Sequence, residues 1–111
     1  MKLEYKQEKL ILNGRIKLIT ELTEFRMGLW IYGFGLSDAV TNEEIIPLIS
    51  FFNLDKLEEV NDALKIRFRI YPDGSTYYDV VVNPFLRNFV HRYKQYHTND
   101  FYKIFTGKEY Q

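Results

Sequence analysis

LKIRFRIYPDGSTYYDVVV, residues 64–82, is the stretch from which the fold is read. Leu64, Ile66, Phe68 and Ile70 alternate with Lys65, Arg67, Arg69 and Tyr71. That period of two is the one a strand with a buried face and a wet face requires. Tyr71-Pro72-Asp73-Gly74-Ser75 reads as a type I turn with Gly74 in the left-handed position, so the chain folds back through a three-residue hairpin loop. Counting outward from that turn predicts Ile66 opposite Val80 and Phe68 opposite Tyr78 on the inner face. On the outer face Arg67 meets Asp79 and Arg69 meets Tyr77, an ion pair beside a cation–π contact.

Upstream, Asn13-Gly14 separates Leu10-Ile11-Leu12 from Arg15-Ile16-Lys17-Leu18-Ile19 and predicts a first hairpin, because both positions suit the positive φ of a two-residue turn. A third strand is expected over Phe25 to Phe34, where Gly28, Gly33 and Gly35 point to bulges or a close backbone approach. Thr41-Asn42-Glu43-Glu44 has the form of a capping box, opening a helix that buries Ile45, Ile46, Leu48, Ile49 and Phe52. Pro47 sits awkwardly inside that helix and would kink it or mark its true start. Asp55-Lys56-Leu57-Glu58 repeats the pattern for a short second helix ending near Asn61-Asp62. Downstream, Asn83-Pro84 reads as an N-cap with proline at the first helical position, and the helix from Phe85 to about His97 buries Leu86, Phe89, Val90 and Tyr93. Thr98-Asn99-Asp100 interrupts it, and Phe101 to Phe105 adds a last turn or two before Gly107.

The expectation is therefore an α+β protein in the order β-β-β-α-α-β-β-α. About five strands, two hairpins plus one strand, form a mostly antiparallel sheet packed with two to three helices. With 111 residues and no Pro/Ser/Gly linker, residues 1–111 read as a single domain. The aromatic content is high, with nine tyrosines, nine phenylalanines and Trp30, and so many tyrosine hydroxyls cannot all be buried and satisfied. Several tyrosines are expected at the surface, where the residue is over-represented in interfaces. The absence of cysteine excludes disulfides, thiolate metal sites and cysteine nucleophiles, and fits a reducing compartment. No apolar stretch of signal-peptide type follows Met1, and the longest apolar run, Met27 to Leu36, is far short of a membrane helix. The expected address is the cytoplasm, with no membrane contact.

Charge is distributed unevenly. Between Asp38 and Asp62 seven carboxylates face one lysine, Lys56, a net of −6 that leaves +6 on the rest of a neutral chain. Helix capping accounts for Glu43, Glu44 and Glu58 but not for Glu59 or Asp62. Carboxylates on a rigid helical pair could mimic a phosphate chain and steer a basic partner. Arg87, His91 and Lys94 fall on one stripe of the expected C-terminal helix. That stripe opens an alternative: a nucleic-acid-binding module or small ribonuclease, with His91 as base and the cations on phosphate. The predicted pI of 6.7 argues against nucleic acid, since such proteins carry a clear basic excess. His91 and His97, six apart on a helix, lie about 240° apart around it and cannot share a metal. Gly33-Phe34-Gly35 lacks the remaining residues of either phosphate-loop fingerprint.

The expectation for function is a binding module without catalysis, metal or cofactor. It is an intracellular inhibitor that neutralises a basic protein partner, a cognate toxin for example, in the manner of toxin-immunity proteins or antitoxins. The contact residues are Glu43, Glu44, Asp55, Glu58, Glu59 and Asp62, within an acidic, tyrosine-containing surface.

Overall fold

The computed structural model describes residues 4–26, 28–72 and 75–109. Two antiparallel meanders follow one another along the chain. Sheet A contains β1 (Glu4–Ile11), β2 (Ile16–Arg26), β3 (Leu29–Asp38) and β4 (Glu44–Ile49), hydrogen-bonded in sequence order. Sheet B contains β5 (Phe52–Val60), β6 (Ala63–Ile70), β7 (Tyr78–Asn83), β8 (Asn88–His91) and β9 (Lys94–His97), also in sequence order. A 3₁₀ turn at Thr98–Asp100 leads into α1 (Phe101–Thr106), which ends at Gly107 in the left-handed conformation with its N–H on the Lys103 carbonyl. No helix among the described residues is long and apolar enough to cross a membrane.

The β6–β7 hairpin has the register read from sequence: Ile66 faces Val80, Arg67 faces Asp79 and Phe68 faces Tyr78. Arg67 Nε donates to Asp79 Oδ1 at 2.8 Å, and Tyr77 lies under both the Arg67 and Arg69 guanidiniums, at 5.4 and 5.2 Å. Asp73 and Gly74, on which the predicted turn type rests, lie outside the described residues. The first hairpin forms where Asn13-Gly14 places it, but as a four-residue turn, Leu12 to Arg15, with Ile11 paired to Ile16. Gly33 and Gly35 mark a close backbone approach: a Cβ on Gly33 would stand 2.8 Å from Ser50 Cα, and one on Gly35 2.7 Å from Leu48 N.

The α+β expectation of two to three helices on one sheet is overturned. Residues 41–62 form β4 and β5 with their flanking turns, residues 85–97 form a turn and the β8–β9 hairpin, and of the predicted helices only the last short one exists among the described residues. The reason is local. In β4, Ser37, Leu36 and Phe34 of β3 face Glu44, Ile46 and Ile49, so the strand carries extra residues on both sides of Ile46. In β5, Leu54 faces Phe68 but Lys56 faces Arg67, which leaves Asp55 as the extra residue of a bulge. Bulges convert the strand period of two into spacings of three and four. Ile45, Ile46 and Ile49, and Leu54 and Leu57, therefore imitate a helical stripe while lying on a sheet. Pro47, awkward in a helix, is at home here, because β4 is an edge strand and the residue falls at the irregularity.

The capping signals were real but served turns. Asp38 Oδ1 accepts from the N–H groups of Val40 and Thr41, and Thr41 Oγ1 accepts from Glu43 N–H. Asn83 Oδ1 accepts from Phe85 and Leu86 in the same way. A short polar side chain holding the amides two and three residues ahead makes the same first bonds in an Asx turn as in a helix N-cap. At β8–β9 the two turn residues, Arg92 and Tyr93, have φ of 52° and 67°, as a two-residue hairpin requires, but neither is of the residue types that announce one.

The core is a stack of rings. Phe34 of sheet A, Phe52, Phe68 and Phe89 of sheet B, and Phe101 of α1 are each at most 1% exposed. Phe68 lies 5.1 Å from Phe52 and 5.6 Å from Phe101, while Phe105 sits 5.0 Å from Phe68 in edge-to-face contact. Helix α1 is thus the plug that fills the inner face of sheet B. Side-chain bonds tie the two sheets: Asn53 Oδ1 accepts from Tyr32 N–H at 3.0 Å, and Glu59 Oε1 accepts from Leu12 N–H at 2.8 Å.

Candidate functional site

Because both sheets are meanders, alternate turns fall at the same end of the molecule. The turns after β1, β3, β5 and β7 meet there and are linked to one another. Ala39 N–H donates to the Arg15 carbonyl at 3.0 Å, and the Arg15 guanidinium reaches Asp62 Oδ1 at 2.9 Å while covering the Phe85 ring at 4.2 Å. Arg87 pairs with Glu43 and lies 3.9 Å from Asp38 Oδ2. Its carbonyl accepts from Thr98 N–H at 2.9 Å, which brings in the segment after β9. Leu12, Asn13, Asn42, Asn61 and Arg87 all have positive φ, so sharp reversals bring these segments together.

Two aliphatic side chains stand out of this network. Val40 is 82% exposed and Leu86 69% exposed, on the turns that Arg87 joins through Asp38 and Glu43. Single exposed aliphatics are commonplace, but here two lie on adjoining turns whose backbones are held by side-chain and main-chain bonds. Asp38 anchors one of them. The Thr41 and Val40 amides, in that order, and then the charge of Arg87 hold its carboxyl below the usual aspartate range. The carboxylates at this end (Asp38, Glu43, Glu44, Glu59 and Asp62) outnumber the cations Arg15, Lys17 and Arg87, so the end is acidic overall.

Four of the six residues singled out as an acidic surface, Glu43, Glu44, Glu59 and Asp62, are therefore at one end of the molecule, on turns and strand ends rather than on helices. Three of them already have partners there: Arg87, the Leu12 amide and Arg15. The remaining two lie elsewhere. Asp55 is at the β5 bulge, 3.8 Å from Arg69, and Glu58 is opposite Lys65 on the outer face of sheet B. The outer face also holds a shallow cavity of about 330 Å³ lined by Lys56, Glu58, Lys65, Arg67, Asp79 and Val81. Its three cations are interspersed with two carboxylates, and Arg67 is committed to Asp79, so little cationic charge is left over for an anion.

Arg87, His91 and Lys94 do not form a helical stripe. Arg87 is bound to acidic groups at the turn end. His91 packs 4.9 Å from Phe105 on the inner side of sheet B, and Lys94 begins β9 against Tyr96. His97 accepts from Asn99 N–H through Nδ1. Among the described residues no three His, Asp or Glu side chains gather at metal-binding distances. Sequence reasoning missed Val40 and Leu86. Nothing in the sequence around Val40 marks it, and the spacing of Leu86 places it in the core of the expected C-terminal helix. Comparison with protein-family models, with curated proteins and with solved structures returns no match.

Proposed function

We propose that the chain is a non-catalytic protein-binding module that engages a basic partner through its turn end. It acts as an intracellular inhibitor of the toxin-immunity or antitoxin type. The observation that carries this reading is the pair of exposed aliphatics, Val40 and Leu86, set among carboxylates on braced turns. An apolar centre with a charged rim is the usual anatomy of a recognition surface, and a braced one loses little conformational entropy on binding. The apolar pair supplies contact, while Glu43, Glu44, Glu59 and Asp62 supply the field that accelerates encounter with a cationic surface. The lack of cysteine supports an address in a reducing compartment.

The test begins with capture of the partner from the native host by the tagged chain, followed by surface plasmon resonance. Val40→Asp with Leu86→Asp should raise the dissociation rate by tenfold or more. Glu43→Lys, Glu44→Lys and Asp62→Lys together should slow association and flatten its salt dependence. Asp55→Asn and Glu58→Gln, away from the turn end, should change neither. Wild-type kinetics in both multiple variants would eliminate the turn end as the binding surface.

A further inference from the structure

At the opposite side of sheet A, β1 is an edge strand with nothing hydrogen-bonded to its outer side among the described residues. It is eight residues long, contains no proline, and pairs with β2 without a register shift from Glu4–Thr23 to Ile11–Ile16. Residues 5–10 are all exposed. A regular open edge of this length is a template for another strand, and proteins that avoid such pairing break the edge with a bulge or proline. Here the edge is unbroken.

We infer that β1 pairs antiparallel with β1 of a second copy of this chain, about a two-fold axis through Gln7, joining the two A sheets into one. Backbone geometry limits the choice sharply. Along a strand, successive residues point their N–H and C=O groups alternately to the two sides. In an antiparallel pair the residues directly opposite must both bond or both not bond. When a strand pairs with its own copy about a two-fold axis, only registers centred on a residue satisfy this, and those centred between residues do not. Centring on Lys6 puts two ammonium groups on the axis, and centring on Glu8 puts two carboxylates there. Centring on Gln7 places an amide against an amide. It also sets Lys6 opposite the partner's Glu8 twice over, and Tyr5 opposite the partner's Lys9 twice over.

Opposite charges directly across a ladder are favourable and like charges are not. The Lys6–Glu8 pairs fall on the outer face of the sheet, and the Tyr5–Lys9 pairs on the inner face next to Trp30, whose ring is 6.5 Å from that of Tyr5. Glu8 already has Lys17 at 3.7 Å on its own chain, so each carboxylate would lie between two cations. Lysines on an edge ordinarily discourage pairing. In this register each finds an acceptor or a ring, so charge selects the register instead of preventing it. The two turn ends then point in opposite directions, leaving both open.

Sedimentation velocity on the full chain, from micromolar to millimolar, tests the proposal. The wild type should show a reversible monomer–dimer equilibrium. Lys6→Glu and Glu8→Lys should each weaken self-association about tenfold, because each converts both ion pairs to repulsion. An equimolar mixture of the two variants should dimerise again, since one copy carries only acidic and the other only basic groups at these positions. That rescue also shows that neither variant has lost its fold. A wild type that is monomeric at every concentration, or a mixture that stays monomeric while the wild type dimerises, would overturn the inference.

Discussion

Sheets A and B have the same construction, each an antiparallel meander with neighbouring strands paired in chain order. Their inner faces fare differently. Sheet B is covered along its length, because α1 lays Phe101 and Phe105 against Phe52, Phe68 and Phe89. Sheet A joins that core through the end where Ile16, Leu18, Phe34 and Leu36 lie, and at its far end only Thr23 and Ile31 are buried among the described residues, outside the ring stack. At an 11-residue length β2 spans about 36 Å, nearly the whole 39 Å long axis, and carries the far end of its sheet beyond the rings. There Tyr5, Leu29 and Trp30 are exposed by more than a third. Backbone pairing is thus similar in both sheets, while side-chain burial is not. Stability should follow burial.

The strongest way to break that comparison is to remove one ring from each side. Phe68→Ala should cost about 3–5 kcal/mol in urea titration, through lost burial and a cavity at the centre of the stack. Trp30→Ala, a larger deletion on paper, should cost less, about 1–2 kcal/mol, because more than a third of the residue is already in contact with water. Equal losses would mean that the far end of sheet A is as tightly packed as the core.

Gly35→Ala sharpens the same contrast where sheet A does reach the core. A Cβ there meets the backbone of Leu48 and Ile46, which cannot rotate away as a side chain can. A loss of about 2–3 kcal/mol is expected by the same titration. At Gly14, where a Cβ meets nothing within 4 Å, the φ of 77° alone would be felt, so Gly14→Ala should cost about 1 kcal/mol.

A smaller effect concerns the turn end. Asp38 is depressed by the Thr41 and Val40 amides and by Arg87, so the native state binds fewer protons at this group than the unfolded chain. Its contribution is complete above the ordinary aspartate pKa and is lost as pH falls through the depressed native value. Asp38→Asn keeps an oxygen for the two amides but removes the charge. The variant should be less stable than the wild type at neutral pH, and the two should converge in acid. A stability difference unchanged down to the lowest pH would assign the effect to geometry and not to charge.

The smallest predicted effect is a gain. Tyr93 is fully exposed at a φ of 67°, a conformation that costs a non-glycine residue about 1–2 kcal/mol. Tyr93→Gly should raise the urea midpoint by the equivalent of about 0.5 kcal/mol once the entropy of glycine in the unfolded chain is subtracted. A fall in stability would reveal a contact made by the ring that outweighs the strain.

Much of the β6–β7 hairpin was legible in the residues themselves. Strict alternation from Leu64 to Ile70 and the turn signal after it determined a strand, its buried face and its register, because each rests on neighbours in sequence. The Asn13-Gly14 reversal and the Phe101–Phe105 helix ending at Gly107 were determined in the same local way, as was the close approach at Gly35. What only the tertiary structure decided was the state of residues 41–62 and 85–97. Their polar residues hold the first amides of a turn or of a helix with the same bonds, and their bulged apolar spacing suits either. The choice fell to partners far along the chain: β3 offers an edge for Ile46 and Ile49, and β6 one for Leu54 and Leu57. The gathering of Val40, Leu86 and the carboxylates at one end was likewise beyond the sequence. It follows from two meanders stacking their alternate turns together, and spatial proximity of that kind is set by topology, not by spacing along the chain.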